Sequence, residues 1–306
     1  MIYVRHADER GRADFGWLKS QHSFSFGNYY DPRFMGVSAL RVINDDRVAP
    51  SAGFDTHGHK DMEIISYVIS GTIAHKDSFG HVKTLPAGEF QLMSAGTGIY
   101  HSEYNASATE PLHFLQIWIQ PSSQGGTPGY QQKAFAQSSA LTPVVTPDGR
   151  DGTLSIKQDA SVYRLELTAD EQTSFKQAKG RNFYAQVVEG ELQLAGETLQ
   201  SGDGIHINEL EEFAIKAGNK RAVAWCLICH NKQHFLAFVH RPLLELHLGD
   251  FPGRLQLHTE IGQHFPVALM LIALQGCKAL LAEKRFGIER SLYPQTLHPG
   301  IDGVSQ

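Results

Sequence analysis

Residues 67–90 read YVISGTIAHKDSFGHVKTLPAGEF, and residues 186–204 read QVVEGELQLAGETLQSGDG. Both run as an apolar strand, a Gly turn, a second strand, and then a leucine followed three residues later by a glycine. Gly71 matches Gly190, and Leu85 with Gly88 matches Leu199 with Gly202. A repeated hairpin of this kind suits two β-barrel halves. Short apolar or alternating runs (VSALRVI, EIISYVISG, EFQLMSAG, LHFLQIWI, SVYRLEL, GIHI, AVAWCLI) recur at roughly 8–12-residue spacing, with glycines and prolines mostly between them. The class expected is therefore all-β.

Between the halves, Gln120 to Ser139 is rich in Gly, Ser, Gln and Pro. The predicted organisation is a first domain over 1–122, a linker over 123–139 and a second domain over 140–231. Residues 232–306 read as an extension of uncertain structure, partly helical, with Pro266 at a helix start and Gly287 at its end.

Composition excludes several classes. The net charge of −5 comes without a basic block, so direct nucleic-acid binding is not expected. The N-terminus MIYVRHADERGR lacks an apolar signal core, and the longest apolar run, Val267 to Leu274, is far short of the roughly 18 residues that span a bilayer. With three cysteines and no export signal, a cytoplasmic, reducing location is expected.

Residues 55–63 read DTHGHKDME. His57 and His59 are two apart, so on a strand both face one side. Residues 94–105, SAGTGIYHSEYN, repeat the stagger with His101 and Glu103. Two neighbouring strands would then present three imidazoles and a carboxylate, a donor set suited to a divalent transition metal such as iron(II) with coordination positions left open. Glu63 lies four residues beyond His59, where strand alternation would keep it on the same face as a hydrogen-bonded outer residue or an alternative ligand.

These two motifs, together with HSFSFGNYYDP at 22–32, resemble the pirin family, and within it the bacterial quercetinase-type pirins. The resemblance covers about residues 1–231. It implies a bicupin of two face-to-face cupin β-barrels, with metal in the first and none in the second. The family's ligands fall on His57, His59, His101 and Glu103. Gly96 stands where the second cupin motif usually has proline. The implied activity is quercetin 2,3-dioxygenase, which opens the flavonol ring with O2 and releases carbon monoxide. Glu103 is the candidate base and Glu63 the alternative. The implied cofactor is one divalent metal, Fe(II) foremost, with Mn, Co, Ni, Cu or Zn as alternatives. A monomer is expected, with a flavonol or phenolic substrate, no membrane and room for a protein partner. The competing class is a non-enzymatic, metal- and redox-dependent regulatory binding protein.

The second half offers no equivalent ligands. Counting from its matched glycine and leucine lands on Lys176, Ala178 and Ile215, with His206 alone nearby. CLICH at 226–230 matches a haem-attachment motif formally, but it continues an apolar strand and reads as core. His75, His81 and His113 read as surface or structural residues rather than ligands.

Overall fold

The computed structural model describes residues 1–230. The expected extension over 232–306, with its helix between Pro266 and Gly287, lies outside the described residues. The described chain is nearly all strand and forms two barrels, each a wide sheet facing a four-stranded one.

In the first barrel the wide sheet runs in the order Gly129–Ala134, Glu89–Ser94, Glu63–Ser70, Leu112–Ile119, Leu40–Val48, Leu18–His22, Gly11–Asp14. Its narrow sheet runs Gly53–His59, Ile99–Asn105, Thr72–Asp77, Val82–Pro86. The second barrel repeats the plan. Its wide sheet centres on Gly204–Asn208, Arg181–Glu189, Ala222–His230 and Ala160–Leu167, and its narrow sheet runs Gln172–Lys176, Glu212–Ala217, Glu191–Leu194, Glu197–Gln200. Each matched glycine turns the chain from the wide sheet into the narrow one, and the matched hairpin is the strand pair that follows, Thr72–Asp77 with Val82–Pro86 and Glu191–Leu194 with Glu197–Gln200. Gly71 has φ 85° and Gly190 φ 81°, and a Cβ at Gly190 would come within 2.3 Å of the Arg221 carbonyl oxygen. Only glycine meets both demands without strain.

The two wide sheets pack on each other. Leu40, Ile65, Tyr67, Phe90, Leu115 and Ile117 of the first meet Val144, Val162, Tyr184, Trp225 and Leu227 of the second in one core. Central strands such as EIISYVIS and AVAWCLICH are therefore buried on both faces, which is why they read as continuous apolar runs rather than alternations. The CLICH cysteines belong to this design. Cys226 faces the second barrel's interior and Cys229 the seam, and burial raises both thiols above their ordinary range.

The domain borders expected from composition differ from those observed at two strands. Ile2–Arg5, expected in the first domain, pairs with Gly204–Asn208 at the edge of the second barrel's sheet. Gly129–Ala134, expected in the linker, pairs with Glu89–Ser94 at the edge of the first. An edge strand has one hydrogen-bonded neighbour, and GYQQKA lies half-exposed to exposed, so it carries no apolar signature. Among the described residues no helix is long and apolar enough to cross a membrane.

The seam's weight rests on Trp225, whose ring lies 4.5 Å from Phe90 and 4.8 Å from Tyr67. Trp225→Ala should lower the unfolding free energy by about 3–5 kcal/mol, read as a lower urea midpoint at unchanged slope.

Candidate metal centre

Gly53–His59 and Ile99–Asn105 run antiparallel, with His57 opposite His101 and His59 opposite Ile99. The register shifts between His101 and Glu103, which pair with His57 and Phe54, so the extra residue and the bulge lie on Gly53–His59 just before His57. Three imidazoles converge as a result. Donor nitrogens of His57, His59 and His101 lie within 4.8 Å of one another, and the Nε2 atoms of His57 and His101 are 3.1 Å apart. Donors about 2.1 Å from an ion and at right angles stand about 3.0 Å apart, so the spacing fits two neighbouring ligands. His57 Nδ1 donates to the Asp55 carbonyl oxygen at 2.7 Å, which turns its Nε2 lone pair inward. Burial, and then the neighbouring imidazoles, push His59 and His101 down to about 3. Both rings are neutral at physiological pH, the form that ligates metal.

Glu103 sits deeper, 2% exposed. Its Oε1 accepts from Ser66 Oγ at 3.3 Å and Gln91 Nε2 at 3.1 Å, and its Oε2 accepts from Gln116 Nε2 at 3.0 Å. These donors belong to one row. Gln91, Ser66, Gln116, Asn44 and His22 are cross-strand neighbours in succession on the wide sheet. The four ligands expected from sequence do not all fall within one 4.8 Å group. His101 joins His57 and His59 in one group, and joins Glu103 and His75 in another.

Glu63 is elsewhere. The chain turns at Asp61, with φ 49°, so Glu63 opens a new strand instead of continuing that of His59. On Glu63–Ser70 it shares the face of Ile65 and Tyr67, toward the seam, while Ile64 and Ser66 point into the barrel. Its Oε2 accepts from Ser94 Oγ at 2.9 Å and from the Lys157 amide at 3.3 Å. Burial raises its carboxyl pKa against those bonds. Glu63 is thus a tie between barrels and does not face the imidazoles.

His75, read from sequence as surface or structural, is 1% exposed and adjoins the site. His81 and Asp77 lie beyond it, bonded at 2.8 Å. His113 instead bonds Asp45 at 2.6 Å, away from the imidazoles. Aromatic rings wall one side. Trp118 stands edge-on to His59 at 4.9 Å, and Phe26, from the FGNYYDP segment, stands edge-on to Trp118 at 5.4 Å.

The pirin family profile matches residues 3–119, and a profile described as the quercetinase C-terminal cupin domain matches residues 143–225. A protein named quercetin 2,3-dioxygenase from Escherichia coli (strain K12) is 51% identical over 73% of this chain and 96% of its own length. The chain belongs to the pirin family. A pirin-like protein from Caulobacter vibrioides is 42% identical over 71% of this chain and 95% of that one. The crystal structure of the bacterial pirin YhhW from Escherichia coli in complex with nickel(II) superposes with a TM-score of 0.74 at 49% identity, covering 76% of this chain and all of that one.

In this pirin the second barrel has no comparable donor set among the described residues. Phe175, Phe183, Phe213, Leu192 and Ile215 fill its interior, and His206 bonds Asn182 at 2.8 Å.

Glu63 faces the seam, so its carboxylate does not take part in the site. Glu63→Gln should leave bound metal per chain unchanged and alter only thermal stability. Metal analysis of the purified variant, alongside a melting curve, checks this.

Proposed function

We propose that this protein is a metal-dependent quercetin 2,3-dioxygenase with His57, His59, His101 and Glu103 as ligands and iron(II) as the preferred ion. The observation that carries the reading is the convergence of three imidazoles beside a buried carboxylate anchored by three donors. His101 is common to both donor groups, so Glu103 adjoins the three imidazoles. Mn, Co, Ni, Cu or Zn would be accepted by the same donors.

A divalent ion there would acidify the flavonol 3-hydroxyl and put substrate and O2 in electronic contact. The protein's own residues supply the rest. Opening the heterocycle with release of carbon monoxide also frees the hydroxyl proton, so a base must stand near it. Glu103 Oε2 accepts from Gln116 alone, and its one remaining lone pair serves the ion first and, once released from it, takes that proton. The bonds from Ser66 and Gln91 to Oε1 hold the carboxylate in place during the transfer. Trp118, with Phe26 set edge-on behind it, gives an apolar wall beside His59 for a flavonol ring. The resemblance to quercetinase-type relatives supports the substrate class, and the donor set supports the chemistry.

The test is direct. Purified protein should carry about one metal per chain and consume quercetin absorbance only in the presence of oxygen. His101→Ala should lose both metal and turnover. Glu103→Gln should lower turnover by at least about 10²-fold, the usual scale for a removed general base. A loaded wild type that turns over no flavonol would instead support the regulatory reading.

A further inference from the structure

We propose that His75 is a positioning residue for this centre: its Nδ1 accepts the Nδ1–H of His101, directly or through one water, and Asp77 sets His75 in the tautomer that can do so. The inference rests on the four-ligand reading above.

The topology places the parts. Ile99–Asn105 lies between two strands, with Gly53–His59 on one side and Thr72–Asp77 on the other. His75 stands opposite Glu103, and Asp77 opposite His101. His101 turns Nε2 toward His57, so its Nδ1 faces away from that group. Ring nitrogens of His101 and His75 lie within 4.8 Å, and their ring centroids are 5.5 Å apart.

The hydrogen-bond chemistry then has one consistent solution. Asp77 Oδ1 accepts the backbone N–H of Phe79 at 2.9 Å and of His81 at 3.1 Å. Its Oδ2 faces His81 Nδ1 at 2.8 Å and His75 Nε2 at 3.3 Å. A carboxylate only accepts, so His75 carries its proton on Nε2 and leaves Nδ1 as a bare lone pair. The Nδ1 atoms of His75 and His101 are both buried, and neither has a hydrogen-bond partner among the described residues. Buried polar groups are almost always paired, and here one is an acceptor and the other, with Nε2 given to a metal, a donor. Tyr130 packs on His75 at 4.7 Å and on His81 at 5.2 Å, which fixes the plane of the relay.

Asp77→Asn tests the tautomer with little change of shape. The two backbone N–H groups keep the amide oxygen at the Oδ1 position, so the amide NH2 must face His75. The His75 proton then moves to Nδ1 and opposes the His101 proton. Cobalt(II) titration of metal-free full-length protein is the readout. Asp77→Asn and His75→Leu should bind cobalt about 10–100-fold more weakly, with shifted ligand-field bands of unchanged intensity. His75→Gln, whose amide oxygen can accept, should recover most of the affinity. Wild-type affinity and bands in both Asp77→Asn and His75→Leu would overturn the proposal. A rise in band intensity in His75→Leu, marking a lost ligand, would overturn it in favour of direct ligation. His57→Ala is the control. Cobalt binding unaffected by that change would overturn the four-ligand reading itself and this inference with it.

Discussion

A carboxylate at Glu103 inside a closed barrel is the constraint from which the first half is organised. An ionised carboxylate in an apolar interior is costly unless its lone pairs are met. The wide sheet meets them with a row of polar side chains, Gln91, Ser66 and Gln116, continued by Asn44 and His22. Because the side-chain period of a strand is two, each of these strands alternates that polar residue with seam residues such as Ile65, Leu92 and Leu115. One register therefore serves two purposes. A slip of a single residue would put glutamine into the seam and leave Glu103 unpaired.

Much of this arrangement was legible in the chain. The paired Gly and Leu positions marked the two barrels because a glycine with positive φ, where the chain turns from one sheet into the other, is a backbone requirement. The two-residue staggers marked His57, His59, His101 and Glu103 because alternation is local. Glu63 was misjudged for the same reason: alternation carries across only one strand, and the turn at Asp61 resets it. His75 was passed over because its closeness to Glu103 comes from pairing between Thr72–Asp77 and Ile99–Asn105, which no local pattern encodes. The row around Glu103 did leave a trace. Ser66, Gln91 and Gln116 interrupt the apolar runs of EIISYVIS, EFQLMS and LHFLQIWI, strands buried on both faces, and buried polar side chains there need a partner.

The exchanged edge strands were invisible for a different reason. Ile2–Arg5 and Gly129–Ala134 each add one ladder to a sheet already formed, and each leaves one edge toward solvent. Backbone hydrogen bonding selects them, and composition does not. Their effect is to stitch the halves together: the first residues of the chain complete the second barrel, while the segment between the halves completes the first. Glu63 reinforces the join by bonding the Lys157 amide across the seam.

The second barrel, which brings together no comparable donor set among the described residues, shows how far apolar packing alone carries the fold. It has the same strand order, yet Phe175, Phe183 and Phe213 pack within 4.9–5.6 Å of one another in its interior. Apolar packing alone therefore suffices to hold this topology. The imidazoles and the polar row of the first barrel replace such packing with groups that must find partners. That half leans on the shared seam, where Tyr67 and Phe90 meet Trp225. The second barrel thus supports its partner, donating an apolar face to a barrel whose interior divides its space between apolar clusters around Phe114 and Ile64 and a row of donors and acceptors.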